Sequence, residues 1–307
     1  MPSIICIGSV LIDELFFCNE EVIMGTSNPA HSKINIGGVM SNIAQHLSLL
    51  GNDVELIAVL GNDKDADWVK TSFSSIGLKT NHAISVHENT GKYISILNPD
   101  GSLYTAACAD QCSKYLTPEF LQSKSEFLIS GELIIADTNL EIVTLEWLIQ
   151  FALKNNKKLF IEPVSVAKAR KLSALNLNGV YMITPNKDEL ISIINKEERG
   201  EQEMIVELLN RGVENIWLRK EALGSQMFDK NGSLSLSVPE IKIIDSTGAG
   251  DAALAGWINA YIDNLPVIDC LKNGHTMAME TLQVEGAVNY NITKEKLISA
   301  SRKYYHD

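Results

Sequence analysis

Short apolar runs alternate with longer amphipathic stretches along most of the chain. The apolar runs are rich in Ile and Val, and they cover residues 3–9, 54–61, 127–137, 157–163 and 179–186. Runs of this length without polar alternation are typical of strands that are buried on both faces of a parallel sheet. The pattern therefore predicts an α/β fold whose central sheet is mostly parallel.

Amphipathic helices are predicted between these strands. Apolar residues recur at helical spacing before Gly51, which fits a helix terminator, at Val39, Ile43, Leu47 and Leu50. Residues 139–156 form a second helical pattern. Strands that alternate with such helices predict βαβ units.

Two segments break the alternation, residues 12–36 and about 90–108. Both contain alternating polar and apolar residues, and the "NPDG" at 98–101 is a strong hairpin signal. These segments are predicted to form strands outside the main sheet. A small flap over the carboxyl edge of the sheet, where open α/β sheets bind ligands, is the arrangement that we expect.

Composition and charge limit the kinds of molecule that this chain is expected to bind. The 307 residues are 45% hydrophobic and 21% charged, as in ordinary globular proteins, and the net charge is −12. Such an acidic chain is not expected to bind nucleic acid or a membrane surface, and its apolar runs are too short to span a bilayer. A small anionic ligand is still compatible with this negative charge, because backbone amides bind phosphate even inside acidic proteins.

The five cysteines are odd in number and form no CxxC pair. The first residues lack the basic region and the cleavage pattern of a signal peptide. Buried, reduced thiols in a cytoplasmic protein are therefore expected, and no cysteine metal site is predicted.

The stretch "DSTGAGDAALAG" at 245–256 concentrates small residues around one acid. It follows a run at 239–245 that resembles a strand and precedes a helical pattern, so its glycines lie where a helix begins. Free amides and the helix dipole favour an anion there. Asp251 in the first turn is then either a residue that complements the dipole or a general base. Neither the GxGxxG nor the GxxxxGK[ST] motif occurs in the chain.

Two further stretches combine turn residues with polar side chains, "GGVMSN" at 37–42 and "PNKDE" at 185–189. In the first, two glycines make either a tight turn or a surface on which a substrate lies, with Asn42 bonding to hydroxyls. In the second, Asn186 and Glu189 are either an N-cap with an acidic first turn, which we favour in isolation, or water-mediated ligands of Mg²⁺.

These three stretches together resemble the signatures of the PfkB, or ribokinase-like, family of sugar and nucleoside kinases. Their order and spacing fit over nearly all 307 residues. The resemblance implies one domain, residues 1–307, with a three-layer α/β/α fold and a small β lid from residues 12–36 and 90–108. It also implies phosphoryl transfer from ATP with Mg²⁺ to an alcohol. By the same resemblance, a monovalent cation such as K⁺ would bind near residues 245 and 282–287. The lid would form the interface of a homodimer.

The same resemblance assigns roles to individual residues. Asp251 would be the catalytic base, and the anion hole would be formed by the amides of Gly248, Ala249 and Gly250. The nucleotide would be held by Asn186, Gly224 and Thr247, and Glu189 would act on Mg²⁺ through water. The acceptor would be held by Asp13, Asn28, Gly38 and Asn42.

Several stretches resemble the pseudouridine kinase branch of this family, namely "SNP" at 27–29 and residues 90–101, 133–140 and 161–168. That branch phosphorylates the 5′-hydroxyl of a nucleoside. Lys168 is a weaker candidate for substrate binding, and an exposed helical lysine is the favoured interpretation. The alternatives are another sugar or nucleoside kinase of the family, or a non-catalytic protein that keeps the fold to bind a ligand.

The chain departs from the family pattern at a few positions. Glu221 stands where the first glycine of a GxxG turn near the nucleotide is expected, although Gly224 is present. A positive φ at Glu221 would cost on the order of 1 kcal/mol, and its charge would oppose the ATP phosphates unless Arg219 and Lys220 offset it. Three other differences concern substrate choice: Ser41 in place of an arginine, Glu162 in place of an aspartate, and a shifted Asp110.

Overall fold

The computed structural model of the protein describes residues 4–195 and 199–306. Its strands are β1 (Ile4–Ile7), β2 (Leu11–Cys18), β3 (Ala30–Gly37), β4 (Val54–Ile57), β5 (Val59–Leu60), β6 (Ile84–Ser85), β7 (Lys92–Leu97), β8 (Leu103–Ala109), β9 (Leu133–Asp137), β10 (Lys158–Glu162), β11 (Val180–Ile183), β12 (Asn215–Arg219), β13 (Ser225–Asp229) and β14 (Gly232–Leu236). Its helices are α1 (Val39–Leu49), α2 (Lys64–Ser75), α3 (Pro118–Gln122), α4 (Ser125–Ser130), α5 (Ile142–Asn155), α6 (Val166–Ala169), α7 (Lys187–Ile194), α8 (Glu201–Asn210), α9 (Ala249–Ile262), α10 (Val267–Leu282) and α11 (Lys294–Tyr305).

The central sheet has eight strands in the order β14-β13-β12-β11-β10-β9-β1-β4. The strands from β12 to β4 are parallel, and β13 and β14 extend the sheet as antiparallel neighbours. Helices cover both faces, which confirms the predicted three-layer α/β/α fold.

Two apolar cores explain why the central strands carry almost no polar residues. In β1, Ile5 and Ile7 join the core on one face of the sheet, while Ile4 and Cys6 join the core on the other. Because successive side chains of a strand point to opposite faces, a strand covered on both sides must be apolar at every position. Burial of one such side chain contributes roughly 1.5–3 kcal/mol, so the cores fix the sheet firmly beneath its carboxyl edge.

Two strand predictions are wrong in part or in full. The run at 127–137 is a helix at its start and a strand only from Leu133, since α4 ends before Gly131. A short apolar run is compatible with a buried helix turn as well as with a strand. The run at 239–245 forms no strand; Ile243 and Ile244 are more than half exposed, and the Ile244 amide donates to the Leu282 carbonyl at 2.8 Å.

The predicted flap segments form a separate four-stranded sheet in the order β3-β2-β7-β8, which we call the lid sheet. Its β7–β8 hairpin turns at residues 98–101, where Gly101 has φ 82° and donates to the Asn98 carbonyl at 2.9 Å. The register places Asp13 beside Asn35 and Tyr93 on one face of this sheet. The lid sheet is thus made of the two segments that break the helix–strand alternation.

An aspartate at the start of α2 ties the lid sheet to the main body. Asp63 caps the helix by accepting from the Ala66 amide at 2.9 Å, and it also accepts from the Thr90 amide and hydroxyl, each at 2.7 Å. Thr90 lies two residues before β7, whose Lys92 pairs with Glu14 at 2.7 Å. The start of β7, one of the two central strands of the lid sheet, is therefore held to α2 by the Asp63 carboxylate.

The described part of the chain has no helix with the length and apolar character needed to cross a membrane. None of the five cysteines is in a disulfide. Four of them are buried as expected, whereas Cys108 is exposed on β8 because that edge strand of the lid sheet has no covering layer.

We expect Asp63→Ala to lower the free energy of unfolding by about 2 kcal/mol, because it removes a helix cap and leaves the buried Thr90 groups unpaired. Chemical denaturation measures this change. Asp67→Ala is the matched control, since Asp67 is an exposed carboxylate in the first turn of the same helix. Equal losses in the two variants would show that helix charge rather than the Thr90 contact carries the effect.

Candidate active site

Polar residues end four neighbouring strands at the carboxyl edge of the central sheet. They stand at the last position of the strand or directly after it: Asp137 in β9, Glu162 in β10, Thr184 after β11 and Arg219 in β12. All four are buried or nearly so. Because parallel strands end at the same edge, these side chains meet at one place, beneath the start of α9.

The start of α9 needs glycine for steric reasons. Gly248 has φ 73°, and a Cβ there would lie 2.4 Å from the Ala287 carbonyl oxygen. A Cβ on Gly250 would lie 2.6 Å from Nη1 of Arg219. The first amides of a helix have no partner within it, so Gly248, Ala249 and Gly250 offer donors to an anion.

Asp251 lies in the first turn of α9 with only 8% of its surface exposed. Its Oδ2 accepts a hydrogen bond from Nδ2 of Asn42, which belongs to α1, at 2.8 Å. Burial raises the pKa of Asp251 to about 8, with the charge of Glu162 adding to the effect and the Asn42 bond and Arg219 opposing it. The structure thus joins the two strongest motifs of the sequence through one buried carboxyl group.

The double glycine brings Asp13 of the lid sheet to the same place. A Cβ on Gly37 would lie 2.1 Å from Oδ2 of Asp13, so only glycine leaves room for that carboxylate. Gly38 has φ 97°, and a Cβ there would lie 2.6 Å from the Ser9 carbonyl oxygen. Burial raises the pKa of Asp13 to about 6. Asp13, Gly38 and Asn42 therefore lie together, as the acceptor-site prediction requires.

Two buried acceptor atoms at this site have no hydrogen-bond partner within the described residues, Oδ1 of Asn42 and Oδ2 of Asp137. Oδ2 of Asp137 lies 2.9 Å from the position that a Cβ of Gly8 would take. Burial also raises the pKa of Asp137 to about 6. Unpaired buried acceptors are costly, and the hydroxyls of an acceptor substrate are groups that could satisfy them. Sequence reasoning missed Asp137, although its place at the end of an apolar run was a signal.

Arg219 lies among these carboxylates. Its Nη2 donates to Oε1 of Glu162 at 2.6 Å and lies 3.8 Å from Oε2 of Glu189. The other oxygen of Glu162 accepts from the Thr184 hydroxyl at 2.5 Å. Burial alone would lower the pKa of Arg219, but the charges of Glu162 and Glu189 outweigh it and raise the pKa.

Asn186 and Glu189 form a reciprocal cap at the start of α7. The Asn186 side chain accepts from the Glu189 amide, and the Glu189 side chain accepts from the Asn186 amide, each at 2.9 Å. The capping interpretation is confirmed, and the role toward Mg²⁺ stays a prediction. No cluster of three or more metal-ligating side chains exists among the residues that the structure describes.

The acidity of the site nevertheless fits Mg²⁺ bound with a nucleotide. Four buried carboxyl groups lie at the site together with one arginine, Arg219. They belong to Asp137, Glu162, Glu189 and Asp251. Carboxylate oxygens are hard ligands that suit Mg²⁺, which commonly keeps several waters and phosphate oxygens in its shell. Glu189 would then act through water, because one of its oxygens is already bound to the Asn186 amide.

Asp245 connects two loops beside α9. Its Oδ1 accepts from the amide and hydroxyl of Thr247 at 2.9 and 2.7 Å, and its Oδ2 accepts from the Gly286 amide at 2.9 Å. Thr247 is thus held in place before the start of α9. The loops around residues 245 and 282–287 are brought together, whereas a monovalent cation between them stays a prediction.

The turn between β12 and β13 has the positive φ at Glu221 that the sequence analysis considered. Glu221 has φ 50° and is exposed, and Gly224 has φ 90°. A Cβ on Gly224 would lie 2.1 Å from the Leu236 carbonyl oxygen. The turn closes where the Lys220 amide donates to the Gly224 carbonyl at 2.8 Å. Gly224 is therefore required by the backbone, and its contact with the nucleotide stays a prediction.

Asn28 lies away from Asp13, with which it is predicted to bind the acceptor. It belongs to the loop between β2 and β3, where its side chain bonds to the amide and carbonyl of Ile23 at 2.8 and 3.0 Å. The strands pair as far as Cys18 with Ala30, five residues beyond Asp13, or roughly 17 Å along the strand. Asn28 closes its own loop in this structure, and its role in binding the acceptor stays a prediction.

A strained turn follows Glu162. Val164 has φ 69°, and the Ser165 amide donates to the Pro163 carbonyl at 2.8 Å, which makes a γ-turn with positive φ. This conformation is rare for a β-branched residue and costs on the order of 1–3 kcal/mol. Such strain is concentrated at functional sites, and here it lies between the buried Glu162 and α6, which carries the half-buried Lys168.

A family model decides the class of protein to which this site belongs. The model, described as pfkB family carbohydrate kinase, matches residues 1–294. The chain belongs to the PfkB family. This PfkB protein is therefore a carbohydrate or nucleoside kinase, a phosphotransferase that acts on an alcohol group.

Individual relatives agree with this class. Pseudouridine kinase of Escherichia coli is 29% identical over 301 residues, which cover 96% of this chain and 95% of the relative. Guanosine-inosine kinase of Exiguobacterium acetylicum is 23% identical and covers 92% of this chain and 95% of the relative. The solved structure of Arabidopsis thaliana ribokinase complexed with ribose and ATP shares the fold, with a TM-score of 0.88, 18% identity, and coverage of 98% and 99% of the two chains.

We expect Glu221→Gly and Glu221→Gln each to tighten Mg·ATP binding by up to about threefold, because both remove an exposed negative charge that the nucleotide-site prediction places near the phosphates. Isothermal titration at low and high salt measures the change. Glu221→Gly should also raise the free energy of unfolding by about 1 kcal/mol, because it removes the positive φ of a non-glycine residue, whereas Glu221→Gln keeps that strain. If neither variant changes the affinity, the turn does not contact the nucleotide.

Proposed function

We propose that this protein transfers the γ-phosphoryl group of Mg·ATP to the 5′-hydroxyl of a nucleoside, and that the nucleoside is pseudouridine. The observation that carries the proposal is the buried Asp251, which stands at the glycine-rich start of α9 and accepts a hydrogen bond from Asn42 of the double-glycine motif. In this proposal Asp251 is the base between the amides that would bind phosphate and the residues that would bind the acceptor hydroxyls. The likeness to E. coli pseudouridine kinase over 96% of the chain supports the choice of acceptor.

Asp251 acts as the general base. Its carboxylate accepts the proton of the attacking hydroxyl as the new P–O bond forms and the bond to the ADP oxygen breaks. Burial makes this carboxylate a stronger base than an ordinary aspartate, with a pKa of about 8. Asn42 holds the side chain in place and offers its remaining oxygen, which has no partner among the described residues.

The start of α9 stabilises the negative charge that spreads over the transferring group. The amides of Gly248, Ala249 and Gly250 have no helical partners and point to the place where the phosphoryl oxygens would lie. Mg²⁺ would screen the phosphate charge when the nucleotide is bound, with Glu189 reaching it through water. Thr247, Asn186 and Gly224 are proposed to hold the nucleotide around this centre.

The acceptor is proposed to lie between the lid sheet and the double glycine. Asp13 and Asp137 would accept from ribose hydroxyls, because both carboxyl groups are largely buried and one oxygen of Asp137 is unpaired among the described residues. Gly38 would let the sugar approach the backbone. Asn28 would reach this site only by a movement of its loop or from another subunit.

We further propose that residues 1–307 act as a single kinase domain whose lid sheet excludes water from the transfer step. The face opposite Asp13 carries the apolar residues Phe16, Ile34, Ile94 and Ile96, of which Ile34 is 54% exposed. The ion pair of Glu14 with Lys92 lies on the same face. A second copy of the chain covering this face would form a homodimer through the lid. A monovalent cation between the loops joined by Asp245, and a location in the reducing cytoplasm, complete the proposal.

A second acceptor class has direct support. The similarity to guanosine-inosine kinase covers 92% of this chain, so a purine nucleoside would be the first alternative. A non-catalytic binding protein is less well supported, because a binder gains nothing from the cost of burying Asp251 beside Glu162 and Asp137.

We expect the purified protein with Mg·ATP to phosphorylate pseudouridine faster than uridine, guanosine, inosine or ribose, with the 5′-phosphate as product. Asp251→Asn should lower the rate by about 10²–10⁴-fold, because the amide cannot accept the proton. A coupled ADP assay measures both. Asp263→Asn is the matched control, since Asp263 is a surface carboxylate at the end of the same helix. Turnover of guanosine or ribose without pseudouridine would reassign the acceptor.

The rate should depend on pH through Asp251. Because the carboxyl group must be ionised to accept a proton and its pKa is about 8, kcat/KM should rise with pH and level off above that value. Asn42→Leu removes a hydrogen bond that favours the ionised form, so it should move this rise upward by about one pH unit. Asp263→Asn should leave the profile in place. A profile for Asn42→Leu that matches the wild type would mean that another group titrates.

A further inference from the structure

Arg219 lies outside every motif that identifies this chain, yet it is the only cation paired with the carboxylates of the site within the described residues. It ends β12, and its side chain is 17% exposed. Of its terminal nitrogens, Nη2 is bound to Glu162 at 2.6 Å, with Glu189 next to it at 3.8 Å. This half of the guanidinium is fixed by two buried acids.

The other half of the guanidinium is directed to the start of α9. Nη1 lies 2.6 Å from the position that a Cβ of Gly250 would take, and it has no hydrogen-bond partner within the described residues. A Cβ at position 250 would force this part of the guanidinium to move. Gly250 therefore serves two purposes, since it leaves an amide free and also leaves room for a cationic donor beside that amide.

We propose that Arg219 is a catalytic residue whose Nη1 donates a hydrogen bond to the transferring phosphoryl group, alongside the amides of α9. This inference rests on the proposed kinase function and deepens it. Glu162 orients the guanidinium by holding Nη2, so the free donor meets the phosphoryl oxygens without reorganisation. The planar fork of an arginine allows both contacts at once, which the single ammonium of a lysine does not.

The charges of the site support this role. Without Arg219, the transferring phosphoryl group would approach the carboxyl groups of Asp137, Glu162, Glu189 and Asp251 with only Mg²⁺ to offset them. A cation in this position lowers the repulsion most where negative charge builds up during the transfer. The charge of Arg219 also opposes the rise in the pKa of Asp251, so it favours the ionised base.

The first test compares binding of Mg·ADP with binding of Mg·AMPPNP, a non-hydrolysable ATP analogue, by calorimetric titration. For Arg219→Gln we expect an approximately tenfold loss of affinity for Mg·AMPPNP and less than a threefold loss for Mg·ADP, because Nη1 contacts only the γ-phosphoryl group. Equal losses for the two nucleotides would overturn the inference. A wild-type protein that binds neither nucleotide would instead refute the proposed function, and this inference with it.

The second test asks whether Arg219 acts on the transferring phosphoryl group or only neutralises the charge of Glu162. Arg219→Gln leaves Glu162 unpaired and can destabilise the fold, whereas the double variant Glu162→Gln/Arg219→Gln removes both charges together. We expect the double variant to recover the thermal stability of the wild type but to keep a kcat lowered about 10²-fold, with the acceptor KM changed less than threefold. Arg219→Lys should recover at most a tenth of the lost kcat. Recovery of kcat to within fivefold of the wild type in the double variant would show that Arg219 only balances Glu162.

Discussion

The burial of several carboxyl groups around one arginine is the constraint on which the site depends. Isolated charges are very costly away from water, so each group here needs a specific neighbour: Glu162 has Arg219 and Thr184, and Asp251 has Asn42. These neighbours come from different strands and helices. The site is therefore assembled only when the central sheet, α1 and α9 are all in place, which the two apolar cores ensure.

The same constraint connects structure with chemistry. A carboxyl group that is buried to this degree becomes a stronger base, as the pKa of about 8 for Asp251 indicates. The glycines complete the arrangement by sterics, because Gly37 makes room for Asp13 and Gly250 makes room for Arg219. Membership of the PfkB family accounts for the overall fold, whereas the pairing of Glu162 with Arg219 is seen in the contacts of this structure.

Much of the fold follows from local patterns in the sequence. The buried strands, the lid hairpin at 98–101 and the glycine-led helices each have a short-range signal, and the positive φ of Glu221 follows from its place in a turn. The site was predicted only where a motif marks it. Asp137 and Arg219 were missed as site residues because their roles arise from contacts between residues far apart in sequence, such as the 57 positions between Arg219 and Glu162. The strained Val164 likewise has no sequence signal, since valine ordinarily avoids that conformation.

The contact between Gly250 and Arg219 also has an evolutionary consequence. A side chain at position 250 would displace the arginine from its present position, and a shorter residue at position 219 removes that conflict. Substitutions at the two positions are therefore not independent, and their order matters along any path by which this kinase diverges. A grafted α9 motif with alanine at position 250 would have to displace the Arg219 guanidinium in this chain, a cost that is absent in a donor protein without that arginine.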